Sequence, residues 1–416
     1  MTNRTTDTGP AHDTARRSRQ LLLDPTFGPF FAGKLLSTVG MWVHNIAAAI
    51  VVFQLTRSAL LVGLVSVAQF TPQLLLTPWS GARADRGDRR RQLLLGRVVT
   101  ASGSGGLVLW IVTVGLEGTV GAAAVITAAL VVGIGFSLGG PAMHAVLPTL
   151  VRPSELPAAI ALSSMPFTIA RAIGPALGAI LVTTVGPATA FATAAITNLA
   201  FAAILAVILD QPAERPMPAD GSVRAGLRYL RIDPVIAALL VGVATIGVGA
   251  DPVVTLTPAI ADGLGGGPEL VGAIASAFGV GAGLAFLTLG VARRRLGLHR
   301  LSSGGLLLIA VGMLGLAASP TAPLALGAAM IGGVGMTVSL TSLTTLIQQR
   351  VPEELRGRIM ALWAVAFLGS RPLTAGITGA VADATTVAVA LTLVVAVLLV
   401  GAMACRPSKL TDAPIA

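Results

Sequence analysis

The chain has 416 residues, of which 54% are hydrophobic and only 11% charged, and its mean hydropathy is +0.85. About a quarter of a water-soluble chain is charged, so these figures exclude an ordinary soluble domain, and with it disorder, collagen, coiled coil and a disulfide scaffold. The charges are few but unbalanced, with 28 Lys and Arg against 18 Asp and Glu, and the lone cysteine, Cys405, excludes an internal disulfide.

Crossing the hydrocarbon core takes about 20 apolar residues in a helix. Stretches of that kind lie at 29–54, 59–80, 93–115, 120–143, 158–183, 187–209, 234–257, 270–289, 301–318, 324–346, 359–381 and 385–403. Twelve spans leave no room for a soluble domain of useful size. The segment before the first span holds Arg16, Arg17 and Arg19 but no small-residue cleavage site, so it reads as a tail and not as a cleaved signal. Although the sequence pI is about 11.4, no basic domain stands apart from the apolar segments, and no nucleic-acid partner is implied.

With the N-terminus inside, 24 cations collect on the cytoplasmic side, among them Arg83 to Arg91, Arg97, Arg152, Arg293 to Arg295, Arg350 and Arg406. The outer loops hold one cation, Arg57, beside Glu117, Asp262, Glu269 and Asp383. That asymmetry is the positive-inside rule and places both termini in the cytoplasm.

The longest polar stretch between spans, 210–233, has a Pro-rich start and a basic end, Val223 to Arg231, that reads as a short amphipathic helix on the inner leaflet. It divides the chain into a tail (1–28), a six-span half (29–209), a linker (210–233), a second six-span half (234–403) and a second tail (404–416). Val151-Arg152-Pro153-Ser154-Glu155-Leu156 before span five matches Arg350-Val351-Pro352-Glu353-Glu354-Leu355 before span eleven. Both spans then carry a central arginine, Arg171 and Arg371. Paired halves with a site between them are an architecture of secondary transporters.

The loop after span two reads Gly81-Ala82-Arg83-Ala84-Asp85-Arg86-Gly87-Asp88-Arg89-Arg90-Arg91. By composition alone it is a positive-inside loop moderated by two acids. Its order resembles the major facilitator superfamily signature G-x-x-x-D-R-x-x-R-[RK], on which Gly81, Asp85, Arg86, Arg89 and Arg90 fall, while Asp88 replaces a frequent glycine. The logic is a tight turn at Gly81, then a carboxylate that caps a neighbouring helix and pairs with arginine. The resemblance implies an all-α membrane protein with two pseudo-symmetric six-helix halves, in which this cluster latches the cytoplasmic side and breaks on inward opening. The corresponding loop of the second half, Gly290 to Gly297, has Arg294 where the acid would stand, so the same ion pair cannot form there.

In span five, Gly174 and Gly178 put a flat face on the helix, and Pro175 removes a backbone hydrogen bond and permits a bend. Read plainly, this is close packing. The G-P-x-x-G order resembles the antiporter motif of drug-exporting members, with Ala170 where another glycine is usual. Pro141-Ala142, Leu147-Pro148, Val151 to Leu156, Arg356-Gly357-Arg358 and Gln54-Leu55-Thr56 extend the resemblance from about Phe27 to Met403. They look like the transmembrane secretion effector branch, which includes enterobactin exporters.

Lys34, Arg171, Asp251 and Arg371 fall within predicted spans, where each charge costs about 2.5–3.5 kcal/mol on insertion scales. Asp251, beside Pro252, is the only intramembrane carboxylate and the candidate proton carrier. Its alternatives are a structural Asp–Arg pair or a place at the wet outer end of the span. Arg171 and Arg371 offer fork-like donors, either to an anionic or carbonyl-rich cargo or to backbone carbonyls freed by Pro175 and Pro372. Lys34 lies near the inner end and is placed to snorkel. Lone histidines such as His44 and His144 are more often hydrogen-bonded core than proton relays. Asn45, Gln69 and Gln73 are candidate polar cavity-lining groups.

Gly135-Phe136-Ser137-Leu138-Gly139 fits the hydrolase pattern G-x-S-x-G but lies in an apolar helix instead of a strand–turn–helix elbow, so it reads as packing. No phosphate loop, zinc spacing or other cofactor or metal motif is present. The whole reads as a non-enzymatic, twelve-helix secondary transporter of the cell membrane, monomeric in the bilayer. By alternating access, with protons as the driving partner, it exports a small amphipathic molecule: a drug-like compound, secondary metabolite or siderophore. The competing readings are an importer of the same fold, a membrane-embedded enzyme using Ser137, and a non-transporting sensor.

Overall fold

The structure, a computed structural model, describes residues 18–86, 88–209, 229 and 233–408. The side chains of Ser18, Pro78, Ala82, Ala84, Asp85, Arg86, His144 and Glu354 lie outside that description. Among the described residues, twelve helical stretches are long and apolar enough to cross a membrane, the seventh of them, Pro234–Thr255, including a break. In chain order they are α1 (Phe27–Thr56), α2 (Ala59–Arg86), α3 (Arg89–Thr113), α4 (Gly118–Val146), α5 (Leu156–Thr184) and α6 (Pro187–Ile208). The second half comprises α7 (Pro234–Ala250), α8 (Pro268–Leu296), α9 (Leu298–Ala318), α10 (Ala322–Arg350), α11 (Glu353–Ala384) and α12 (Val387–Ala404). Among the described residues there is no β-strand.

Local chemistry explains where these helices start and stop. Arg57 adopts a left-handed φ of 53° and ends α1, its N–H donating to the Phe53 carbonyl at 2.8 Å. Asp88 caps α3 by accepting from the Arg91 N–H at 3.1 Å. Asp233 caps α7 by accepting from the Val235 N–H at 3.0 Å, and its other oxygen takes the Arg350 Nε–H at 2.6 Å. Proline stands in the first turn of α5, α6, α7, α8 and α10, where its missing N–H costs nothing.

The face that receives the start of α1 and the end of α6 is called the tail face, and its opposite the far face. The halves meet along two helix pairs, α2 against α11 and α5 against α8, with α1 and the extension of α7 between them. Lipid tails are as apolar as leucine, so close backbone approach and cross-helix hydrogen bonds take the place of hydrophobic driving force at these seams. Gly178 shows the tolerance within the first half, for a Cβ there would sit 3.0 Å from the Val43 carbonyl oxygen of α1. Its neighbour Gly174 faces Trp42 in the same way.

Three sequence expectations change. α2 runs helical through Gly81 to Arg86, so Gly81 makes no tight turn, and the cap at the next helix comes from Asp88, the residue that replaces the usual glycine. Span seven is broken: α7 stops at Ala250, and Pro252–Thr255 and Thr257–Gly263 continue it as short helices. Pro252 is the cause, because it supplies no N–H to the preceding turn. Arg97, counted above with the cytoplasmic loop cations, lies inside α3 and is buried. The amphipathic helix expected at Val223 to Arg231 lies outside the described residues except for Tyr229.

Gly178→Leu should lower the thermal unfolding midpoint of the purified protein, because overpacking costs about 1–3 kcal/mol. Gly140→Ala, where nothing lies within 4 Å of the new methyl, should leave it unchanged. Equal midpoints for the two variants would contradict this packing.

Candidate functional site

The two arginines sit near the middles of α5 and α11, on the two helices that line the seams. The Arg171 guanidinium lies between two rings, 5.3 Å from the Trp42 ring of α1 and 4.7 Å from the Phe278 ring of α8. Arg371 rests 4.0 Å over the Phe70 ring of α2. Each arginine therefore stacks on an aromatic from the opposite half, and the two aromatics occupy matching helices, the second of each half. A desolvated cation–π contact contributes about 2 kcal/mol, enough to offset much of the cost of placing a guanidinium in hydrocarbon.

Their ionic surroundings differ. Arg371 Nε lies 3.7 Å from Asp251 Oδ1, close enough for an ion pair but too long for a hydrogen bond. Arg171 has no carboxylate partner and no hydrogen-bond acceptor among the described residues. Neither guanidinium bonds to a backbone carbonyl there. The carbonyl that Pro175 frees is that of Arg171 itself, and Gly279 of α8 packs on it so closely that a side chain at Gly279 would strike it.

Asp251 sits at the break after α7 and is completely buried, which removes the alternative of a wet outer end. Thr255, one turn on, donates to Oδ2 at 2.8 Å, while Oδ1 has no hydrogen-bond partner among the described residues. The same Thr255 hydroxyl lies 3.5 Å from Ser66 of α2, so a pair of hydroxyls continues from the carboxylate into the other half. At the point of α1 that matches Asp251 in distance from the helix start stand His44 and the adjacent Asn45.

The remaining candidates divide. Asn45 and Gln69 are buried close to this level, and Asn45 Oδ1 has no partner among the described residues. Gln73 donates back to the Gln69 carbonyl at 3.5 Å. His44 Nδ1 pairs with Ser104 Oγ at 3.1 Å and its ring meets Phe191 edge-on, inside the first half and away from the seam. His144, Asp85 and Arg86 have side chains outside the described residues. Lys34 donates to the Ser163 carbonyl at 2.7 Å, which ties α1 to α5 and replaces the expected snorkelling. Arg90 reaches the Ala206 carbonyl at 2.8 Å and so joins α3 to α6 within one half. Ser137 donates to the Gly133 carbonyl one turn back at 2.8 Å, a packing role and not a nucleophile's.

Sequence reasoning missed Trp42, Phe70 and Phe278, although aromatics are only 4% of the chain and Phe70 and Phe278 recur in corresponding spans. It also missed the buried surroundings of Arg97, which donates to Ser37 Oγ at 3.0 Å and Asn198 Oδ1 at 3.3 Å and stacks on Phe136 and Phe201. The far face holds a third unforeseen feature. Asp383 at the end of α11 accepts from Ser58 Oγ at 2.5 Å, Ala59 N–H at 2.7 Å and Leu60 N–H at 3.1 Å, so it caps α2 across the seam. Arg57 and Asp262 form an ion pair beside it, again between halves.

The profile of a family described as transmembrane secretion effector matches residues 21–414. The enterobactin exporter EntS of Shigella boydii serotype 4 (strain Sb227) is 29% identical over 353 residues, covering 82% of this chain and 81% of that one. EntS of Escherichia coli O6:K15:H31 (strain 536 / UPEC) matches with the same identity and coverage. Among solved structures, a D-xylose-proton symporter superposes with a TM-score of 0.76 at 13% identity, over 92% of this chain and 99% of its own. A bacterial homologue of the iron transporter ferroportin, in an inward-facing state, gives 0.72 at 16% identity, over 93% and 98%. At such identities these structures establish the fold, which is the major facilitator fold.

Asp383→Ala should loosen the far face, since one carboxylate there satisfies two of the orphan N–H groups of α2 and one hydroxyl. Spin labels at Glu117 and Thr321, in a Cys405→Ala background, report the separation of the halves at that face. The variant should add a longer-distance population; an unchanged distribution would remove Asp383 as a clasp.

Proposed function

The chain belongs to the transmembrane secretion effector family, and from that premise we propose that it exports a small amphipathic molecule by alternating access, driven by proton entry. It is a multi-pass membrane transporter with a small-molecule substrate, and not an enzyme. The observation that carries the finer reading is the completely buried Asp251 at a helix break, where it shares the seam with two arginines. A carboxyl group with one free oxygen, beside a cation it only loosely engages, can gain and lose a proton without dismantling a hydrogen-bonded pair. Export is favoured by the similarity to proteins whose names make them exporters.

In this reading Arg171, Arg371, Asn45, Gln69 and His144 line the path of the cargo, and Gly174, Pro175 and Gly178 let α5 bend against α1. Asp85 and Arg86, with Gly81, Arg89 and Arg90, latch the tail face as the superfamily signature implies. The tail face is cytoplasmic, because the cations gather on it. Residues 29–209 and 234–403 act as the two rocking halves, joined by the 210–233 linker and flanked by the tails 1–28 and 404–416. The protein works as a monomer in the bilayer of the cell membrane, with no cofactor, metal or nucleic acid.

Inverted membrane vesicles with an acidic interior should accumulate cargo found by a susceptibility and export screen of a deletion strain. Failure to load under that gradient would overturn export. Asp251→Asn should abolish the proton dependence of flux while cargo still binds, and a normal pH dependence in that variant would rule out Asp251 as carrier. Asp85→Asn should cut flux severalfold with unchanged membrane insertion, and full flux would remove the latch.

A further inference from the structure

The charges at the seam do not balance. Two guanidiniums and one carboxylate lie on the helices between the halves, and among the described residues the carboxylate's ion-pair partner is Arg371. Arg171 is 6% exposed, its Cζ lies 5.3 Å from the Trp42 ring and 4.7 Å from the Phe278 ring, and none of its five N–H donors meets an acceptor among the described residues. Ring faces stabilise the positive charge but accept no strong hydrogen bond from the rim of the guanidinium, which is the part that binds oxyanions in fork geometry. The rings flank the guanidinium, and its N–H donors are left without an acceptor among the described residues. One turn and two turns toward the tail face from Arg371, Phe367 and Trp363 stack with centroids 5.5 Å apart, and Trp363 Nε1 also lacks an acceptor. α11 therefore presents an aromatic step leading to a cation.

We propose that the cargo is an organic anion with a flat apolar body, whose oxyanion docks on the N–H donors of Arg171 while its body lies along the aromatic side of α11. The inference deepens the transport reading and rests on it for the word cargo; the anion site itself stands on the unpaired guanidinium. An oxyanion supplies the charge that the first half lacks, in the place where the second half has Asp251. Asn45, the neutral residue beside the matching point of α1, leaves that place to the ligand.

The test uses two dyes of similar ring system and opposite charge, fluorescein and rhodamine 123, with the full-length protein in lipid nanodiscs and fluorescence anisotropy as readout. The wild type should bind fluorescein at least tenfold more tightly than rhodamine 123. Arg171→Gln should weaken fluorescein about tenfold or more, and Arg171→Lys should restore only part, since an ammonium lacks the fork. Asp251→Asn removes a negative charge and should tighten fluorescein severalfold without helping rhodamine 123, which keeps the proposal testable if Arg171→Gln fails to fold. The inference is overturned if the wild type shows no preference for fluorescein, or if fluorescein affinity ignores both substitutions. Dye flux in proteoliposomes separates the two levels. Charge-selective binding without flux upholds the anion site and counts against transport of these dyes. Flux of rhodamine 123 with no Arg171-dependent binding of fluorescein upholds transport and overturns the anion site.

Discussion

A guanidinium held deep among helices must be stabilised largely by the protein around it, and in this fold that demand falls on the seam between the halves. Arg171 and Arg371 meet it by lying on rings from the opposite half, Phe278 and Phe70. The helices must come close enough for this, which sets a requirement for small residues along α5, α8, α2 and α11. Gly279 against the Arg171 carbonyl, and Gly63 of α2 against the Ala375 carbonyl of α11, meet that requirement. The Ser276 hydroxyl of α8 accepts from the Ala176 N–H, next to Pro175, at 2.9 Å and so ties α8 to α5. Packing, proline placement and charge placement at the seam are one arrangement.

The two halves share this geometry but not its charge. In the second half Asp251 stands beside Arg371, and Thr255 and Ser66 extend its polar surroundings into the first. In the first half the corresponding helix supplies His44 and Asn45, of which His44 turns inward to Ser104. Duplicated halves that diverge at one position are a way to place two different tasks, here proton carriage and anion binding in the proposed cycle, at equivalent depth. A buried charge left without a partner costs stability that apolar side chains of similar volume would not. Its retention therefore asks for a reason beyond folding.

Much of this was legible in the sequence because membrane spans obey a composition rule that needs no tertiary information. All twelve spans, the pairing of Arg171 with Arg371 and the intramembrane place of Asp251 follow from hydropathy and internal repetition. What escaped depends on contacts between distant segments. Arg97 sits within a turn or two of a run of loop arginines and looks like one of them, and only Ser37, Asn198 and Phe201 mark it as buried. Asp383 reads as an outer-loop acid, yet it caps a helix 324 residues earlier in the chain. Gly81 fits a turn by type, but no neighbour forces one and α2 continues through it. Charge signs are local facts; partners are not.

The cross-half stacking also links occupancy to conformation. A ligand shifts an equilibrium between two shapes only through its different affinity for them. Arg171 is flattened between Trp42 of its own half and Phe278 of the other, so rotating the halves apart at this level takes one ring away and frees one face of the guanidinium. The far face resists that rotation through Asp383 on the start of α2 and Arg57 on Asp262, both exposed and each of modest strength. Modest strength suits a clasp that opens in each turn of the proposed cycle, because a strong one would hold a single state whatever is bound. An oxyanion on the rim of Arg171 draws the guanidinium edge without disturbing its faces, and so stabilises the arrangement in which both rings are in place. In the proposed cycle, then, the same contact that makes the charge tolerable in the membrane makes its neutralisation by cargo felt in how the halves are held.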